Sequence, residues 1–161
     1  MLSNGFSFRL AIGKSFLFGA LITMVAPGFA VAETGPQIID LTQTPCQFVE
    51  PEGMDHAYES MQKADCVRIN TETGGERLDK VEPMVLKPGK YIFRVTNKNV
   101  PYELGFYLRG SGLGRLTLPS TSGGGLRPGY TKDYEIELKA GEYVYSCPLN
   151  PTPDYPIVVR E

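Results

Sequence analysis

The sequence predicts an all-β fold, a two-sheet sandwich with a short helical insertion near its N-terminus. From about residue 83 onward, apolar residues recur at every second position in several short runs, the spacing typical of half-buried strands. Turns rich in Gly and Pro separate these runs, and a single window has helical spacing. Short alternating strands with little helix indicate two packed sheets.

The first 32 residues have the layout of a secretory signal peptide. The basic residues Arg9 and Lys14 precede an apolar run at 15–29, and an Ala-Val-Ala end follows at 30–32. A basic start, an apolar centre and small residues at the end are typical of a cleaved signal. A membrane anchor is the alternative, but the run is shorter than the roughly 20 residues that a spanning helix needs.

Removal of the signal peptide, residues 1–32, would leave a single exported domain at 33–161. We expect this mature chain to be periplasmic and not membrane-spanning. The full chain has 16 basic and 18 acidic residues, and loss of Arg9 and Lys14 leaves 14 and 18, a net charge of about −4. This charge gives no electrostatic reason to expect nucleic acid as a partner. A single His excludes zinc sites with two or three His ligands in one chain.

The helical window lies between the first two cysteines. Asp55 is placed to cap a short helix over 57–65, in which Tyr58 and Met61 would share one face. The Thr-Gly-Gly sequence at 73–75 predicts a break in the chain soon afterwards.

The strands are predicted from alternation. The inward-facing residues of successive strands are Tyr91, Phe93 and Val95; Leu104, Phe106 and Leu108; Tyr134, Ile136 and Leu138; Tyr143, Tyr145 and Cys147; and the last run 157–159. Residues 110–129 contain seven glycines and are predicted as a long loop with one short strand at 115–118.

The three cysteines are an odd number, so one of them is left over if the others pair. Export favours disulfides. Cys46 and Cys66 lie at the two ends of a segment whose one short helix buries little surface. A disulfide between them would stabilise this segment. We therefore predict a Cys46–Cys66 disulfide and a free Cys147, which follows Tyr143 and Tyr145 on the inward face.

Two motifs in residues 83–159 carry a resemblance to a known fold. They are Lys-Pro-Gly-Lys-Tyr-x-Phe-x-Val-x-Asn at 87–97 and Leu-Lys-Ala-Gly-Glu-Tyr-Val-Tyr-Ser-Cys-Pro at 138–148. This layout resembles the cupredoxin fold, and it implies a cupredoxin-like Greek-key sandwich with Cys147 in the loop before the last strand.

A type 1 copper site takes two His, a Cys and usually a Met. The positions of this chain that match the family's ligands are Tyr102, Cys147, Leu149, Asn150 and Asp154. Of these residues, only Cys147 is the residue that the family has at the matching position, so the sequence predicts no type 1 copper site. An electron-transfer role then has no obvious centre.

A closer resemblance is to the cupredoxin-like domain of EfeO-type periplasmic iron-uptake proteins. The matching residues are Cys46, Glu103, Gly-Glu-Tyr at 141–143 and Cys-Pro-Leu-Asn-Pro at 147–151. This resemblance implies handling of iron or copper, with a metal-uptake or metal-handling membrane system as partner. It also allows a different disulfide, Cys46–Cys147.

The candidate metal ligands form two groups. Cys147 and Glu103 follow from the resemblance, and Met54, His56 and Met61 form a second group of ligands that suit Cu(I). His56 and Met61 are five positions apart, so on a regular helix their side chains would point about 140° apart and would not converge on one metal ion. The alternative for this group is therefore that Met61 packs in the core and His56 is exposed.

The sequence gives little support to an enzyme. The glycines at 110–125 match no phosphate-binding pattern, and the hydroxyls at 120–122 have no base or nucleophile elbow beside them. We expect a non-enzymatic exported protein that binds or handles iron or copper. The alternative is a metal-free accessory module that uses the Gly-rich loop and the Pro-rich loop 148–156 as its interaction surface.

Overall fold

The structure, a computed structural model, describes residues 35–161. The predicted signal peptide at 1–32 lies outside the described residues. The strands and helices follow in chain order: β1 Gln37–Thr44, β2 Gln47–Phe48, α1 Val49–Glu52, α2 Lys63–Leu78, β3 Met84–Leu86, β4 Gly89–Asn97, β5 Leu104–Gly110, a 3₁₀ helix Gly112–Leu116, β6 Thr121–Leu126, β7 Thr131–Leu138, β8 Gly141–Ser146 and β9 Tyr155–Val159. No helix in this part of the chain is both long and apolar enough to cross a membrane.

The strands form two sheets. One has four strands in the order β2-β1-β4-β7, and the other has five in the order β3-β9-β8-β5-β6. β1 pairs with β4, and β3 with β9, in parallel, whereas the other neighbours are antiparallel. This topology confirms the predicted all-β, cupredoxin-like Greek-key sandwich.

The core lies between the sheets and consists of the residues that alternation placed there. Each of the following side chains is at most 8% exposed: Phe93, Val95, Leu104, Phe106, Ile136, Leu138, Tyr143 and Tyr145. The rings of Phe93 and Phe106 stack across the sandwich with centroids 5.7 Å apart. Burial of such rings is the main source of stability in a sandwich.

The helical insertion differs from its prediction. The helix expected over 57–65 does not form there, and α2 begins only at Lys63 and continues through the predicted break at 73–75. Gln62 and Asp65 form a capping box at its start. Gly74 in this helix lies against Pro153, and an added Cβ would be 3.8 Å from the proline ring, an ordinary contact distance. Met61 precedes the helix and is 77% exposed, so its predicted packing on a helix face was wrong.

The Gly-rich stretch also differs from its prediction. The short strand expected at 115–118 is absent, since a 3₁₀ helix occupies Gly112–Leu116 and the strand lies later, at Thr121–Leu126. Gly123 in this strand packs against the Tyr134 ring, and an added Cβ would lie 3.1 Å from its Cε1. A strand of glycines has no side-chain alternation, which explains why the sequence pattern missed it.

Candidate functional site

The loop after β8 begins with a buried thiol. Cys147 is 1% exposed, and its Sγ accepts hydrogen bonds from the backbone nitrogens of Gly105 at 3.4 Å and Asn150 at 3.2 Å. Desolvation by burial raises the pKa of the Cys147 thiol, and these two N–H groups oppose that effect only in part. The thiol is therefore held in its protonated form at neutral pH.

Asn150, whose backbone nitrogen donates to this thiol, has a fully buried side chain. Its Oδ1 accepts from the backbone nitrogen of Cys46 at 3.1 Å and from the hydroxyl of Tyr102 at 3.1 Å. Its Nδ2 donates to the backbone oxygen of Thr44 at 3.1 Å. These partners at both ends fix the orientation of the amide and tie the loop to the end of β1.

A disulfide joins Cys46 to Cys66, with an S–S distance of 2.09 Å. Cys147 carries a free thiol. The predicted pairing is confirmed, and the alternative Cys46–Cys147 bond was wrong. Sγ of Cys66 lies 2.9 Å from Oδ1 of Asn150, so Asn150 contacts all three cysteines.

Tyr102 occupies the position at which the cupredoxin resemblance would place a His ligand. Its hydroxyl is hydrogen-bonded to Oγ of Ser60 at 2.7 Å as well as to Asn150. Desolvation by burial raises the pKa of Tyr102, although the hydrogen bond from Ser60 acts in the opposite direction. The phenol is consequently a neutral hydrogen-bonding group at physiological pH.

Helix α2 packs over the same loop. Nδ2 of Asn70 donates to the backbone oxygen of Pro151, and Gly74 lies against Pro153. On the other side, Arg109 donates to both carboxylate oxygens of Asp154 at 2.7 Å. The loop that carries ligands in the cupredoxin fold is therefore held from two sides.

A buried ionic cluster fixes the insertion to the sandwich. The side chain of Glu52 is 2% exposed and receives two hydrogen bonds from Arg77, each 2.9 Å long. Nε2 of His56 lies 2.8 Å from the same carboxylate, and the hydroxyl of Tyr155 donates to it. Arg77 and Tyr155 are 25 and 103 positions from Glu52, and no spacing rule for helices or strands connects residues so far apart. Sequence reasoning missed this cluster.

Comparison with known proteins gives only distant likenesses. No protein-family model matches the chain, and no curated protein matches it. The solved structure of a reduced amicyanin mutant aligns with this chain at 15% sequence identity and a TM-score of 0.38. The alignment covers 81% of this chain and 87% of the amicyanin chain. An oxidised amicyanin mutant has 16% identity and a TM-score of 0.36 over the same shares. The fold class rests on the sheet topology described above.

The residues around Cys147 do not fit a type 1 copper centre, the metal site that the cupredoxin fold implies. Such a centre needs two imidazoles beside the thiolate. Here the groups hydrogen-bonded to the thiol are the backbone amides of Gly105 and Asn150, and the chain's one imidazole, His56, is paired with Glu52. The prediction of no type 1 copper follows equally from the single His in the sequence.

The structure places Cys147 and Glu103 at the same end of one sheet. Glu103 directly precedes β5, Cys147 directly follows β8, and these strands are antiparallel neighbours. Oε1 of Glu103 accepts a hydrogen bond from the backbone nitrogen of Gly125 at 2.8 Å. Glu103 is exposed, in contrast to the buried thiol.

The second candidate group lies in the connection between α1 and α2. His56 stacks on Tyr58 with ring centroids 5.3 Å apart, while Met54 and Met61 are 55% and 77% exposed. Within residues 35–161, no three His, Cys, Asp or Glu side chains come together in a way that could hold a metal ion. Metal binding by either group stays a prediction.

Proposed function

We propose that this chain is an exported, non-enzymatic accessory protein that contacts other proteins of the periplasm and carries no type 1 centre. The observation that carries this proposal is the buried Asn150 amide in the loop after Cys147, which is hydrogen-bonded to the backbone of Cys46 and Thr44 and to the hydroxyl of Tyr102. A buried, hydrogen-bonded network at this end of the sandwich favours a structural use of that end over ligand exchange.

A groove of about 480 Å³ supports the choice of interaction surface. The glycines of β6 form one side of it, with Gly123 and Gly124, and the Pro-rich loop forms the other, with Pro148 and Leu149. Both segments were predicted from the sequence as the surface of an accessory module. Leu149 is 40% exposed and supplies an apolar anchor of the kind found at protein interfaces.

Crosslinking in cells tests this function. A photoactivatable amino acid at Leu149 should give a defined crosslinked product with one periplasmic or membrane protein. The same amino acid at Glu137, on the solvent face of β7, serves as the control. Absence of a product at Leu149, or the same products from both positions, would overturn the proposal.

A second candidate function is the handling of iron or copper by the chain itself. The free thiol of Cys147 and the carboxylate of Glu103 at one end of the sheet favour it. A metal-uptake or metal-handling membrane system would then be the partner. Metal analysis of protein purified from its native compartment tests this function. About one iron or copper per chain, lost in Cys147→Ser and in Glu103→Gln, would support it, and protein free of both metals would rule it out.

A further inference from the structure

The three cysteines of the chain meet at one residue. Sγ of Cys147 accepts a hydrogen bond from the backbone nitrogen of Asn150 at 3.2 Å, and Sγ of Cys66 lies 2.9 Å from Oδ1 of the same residue. The backbone nitrogen of Cys46 donates to that oxygen at 3.1 Å. A free thiol and a disulfide therefore share one neighbour, although Cys66 lies in α2 and Cys147 follows β8.

A free thiol close to a disulfide can exchange with it. The thiolate attacks one sulfur of the disulfide, a new S–S bond forms, and the other sulfur leaves as a thiolate. In this chain the reaction would have to be internal, because Cys46, Cys66 and Cys147 are each at most 1% exposed. A thiol in solution does not reach any of the three sulfurs while the fold is closed.

The contact between Asn150 and Cys66 stands in the way of this exchange. It is not a hydrogen bond, because a disulfide sulfur carries no proton to donate. Oδ1 of Asn150 instead occupies a contact position at Sγ of Cys66, and an attacking thiolate would need such a position. Hydrogen bonds from Cys46 and Tyr102 hold this oxygen in place, and Thr44 holds the nitrogen of the same amide.

The surroundings of Cys147 are quiet but incompletely bonded. Burial raises the pKa of the thiol, which disfavours the thiolate form that attacks disulfides. Gln43 is joined to the thiol through Gly105, whose oxygen accepts from Nε2 of Gln43 and whose nitrogen donates to Sγ of Cys147. Gln43 is fully buried, and its Oε1 has no hydrogen-bond partner among residues 35–161. Buried acceptors without a donor are uncommon, and a redox role is one of their recognised causes.

We propose that Asn150 keeps apart a thiol and a disulfide that are placed to exchange, and that opening of the loop after β8 lets Cys147 replace Cys46 as the partner of Cys66. The thiolate of Cys147 attacks Sγ of Cys66, and the Cys46–Cys66 bond breaks. Cys46 leaves as a thiolate and takes up the proton that Cys147 has lost. One disulfide is present before and after, so the step consumes no oxidant or reductant. The product ties α2 to the loop after β8 and releases the turn before β2.

Peptide mapping after incubation at about pH 9, where most exposed thiols are ionised, tests the proposal. Free thiols are blocked with N-ethylmaleimide in mild acid before digestion, which stops the exchange. Wild-type protein should keep the Cys46–Cys66 pair. In Asn150→Ala, a peptide pair that links Cys66 to Cys147 should appear under native conditions. The same substitution combined with Cys147→Ser should give no new pair.

A second variant separates the local effect of Asn150 from a general loss of stability. Leu138→Ala removes a buried side chain of β7 at a similar expected cost in stability, and it leaves Asn150 in place. Exchange in Asn150→Ala should be at least about tenfold faster than in Leu138→Ala, a difference of about 1.4 kcal/mol in the barrier. Asn150→Ser takes the place of Asn150→Ala if the latter does not fold.

Three results would overturn the proposal. The first is an equal rate of exchange in the Asn150 and Leu138 variants, which would assign the reaction to global unfolding. The second is a first product that links Cys147 to Cys46. The third is an unchanged Cys46–Cys66 pair in the folded Asn150 variant.

Discussion

Oδ1 of Asn150 accepts a hydrogen bond from the backbone nitrogen of Cys46, a residue 104 positions earlier in the chain. This contact joins the loop after β8 to the turn that carries the disulfide. Asn150 is fully buried. Its amide also donates a hydrogen bond to the backbone oxygen of Thr44 and accepts one from the hydroxyl of Tyr102. One neutral side chain thus organises the end of the sandwich at which cupredoxins hold their metal.

Replacement of Asn150 by Ala should lower the free energy of unfolding by about 2–3 kcal/mol, because it removes buried hydrogen bonds to the N–H of Cys46 and the C=O of Thr44. Urea unfolding followed by circular dichroism measures the change. Leu149→Ala, at the neighbouring and partly exposed position, is the matched control and should cost less. If the Asn150 variant is as stable as the control, the network does not have the role described here.

Strands β4 and β7 were predictable from the sequence because each buries a single face. Ile136 lies between Glu135 and Glu137, and Phe93 lies between the half-buried Ile92 and Arg94, so the burial pattern of β4 and β7 alternates along each strand. The disulfide was predictable because the segment between its cysteines has few apolar residues to bury. In both cases the evidence is a pattern among residues that are near one another in sequence.

The insertion and β6 were not predictable in the same way. Helix α2 has three buried residues, Cys66, Gly74 and Arg77, so it lacks the apolar stripe by which a helix is recognised. Its position depends on the disulfide and on Arg77 reaching Glu52, 25 residues away. The role of Asn150 was hidden for the same reason, since its partners belong to distant parts of the chain.

Replacement of Glu52 by Gln should lower the free energy of unfolding by about 3–5 kcal/mol, because Arg77 is left buried without its counter-charge. Denaturant unfolding of the single variants Glu52→Gln and Arg77→Met and of the double variant measures the coupling. The ion pair between Arg94 and Asp133 has similar hydrogen bonds at the surface, so Asp133→Asn is the control, with little expected loss. A Glu52 variant no less stable than this control would contradict the prediction.

The stability of the protein should fall between about pH 10 and pH 12. Burial raises the pKa of Tyr134 to about 12, above the value of about 10 in an unfolded chain. In this interval the native state keeps a proton that the unfolded state releases, so the free energy of unfolding decreases as pH rises. Urea midpoints measured across the interval should fall less steeply in Tyr134→Phe. Tyr130→Phe, at a ring that is 63% exposed, should leave the slope unchanged, and identical slopes for both variants would refute the assignment.

Removal of the disulfide should lower the free energy of unfolding by about 3 kcal/mol in the chain-entropy model, because the bond closes a loop between residues 20 positions apart. The loss should be concentrated in the insertion, where α2 has no apolar face to hold it in place. Hydrogen exchange of the double variant Cys46→Ala, Cys66→Ala should therefore show faster exchange in α2 than in β4, while Cys147→Ala should leave α2 protected.

Peptide mapping of unreduced wild-type protein provides the direct check, since Cys46 and Cys66 should appear in one linked peptide pair. A linked pair that contains Cys147 would show instead that the buried thiol takes part in the bond, and the geometry around Asn150 would then be different from the one described.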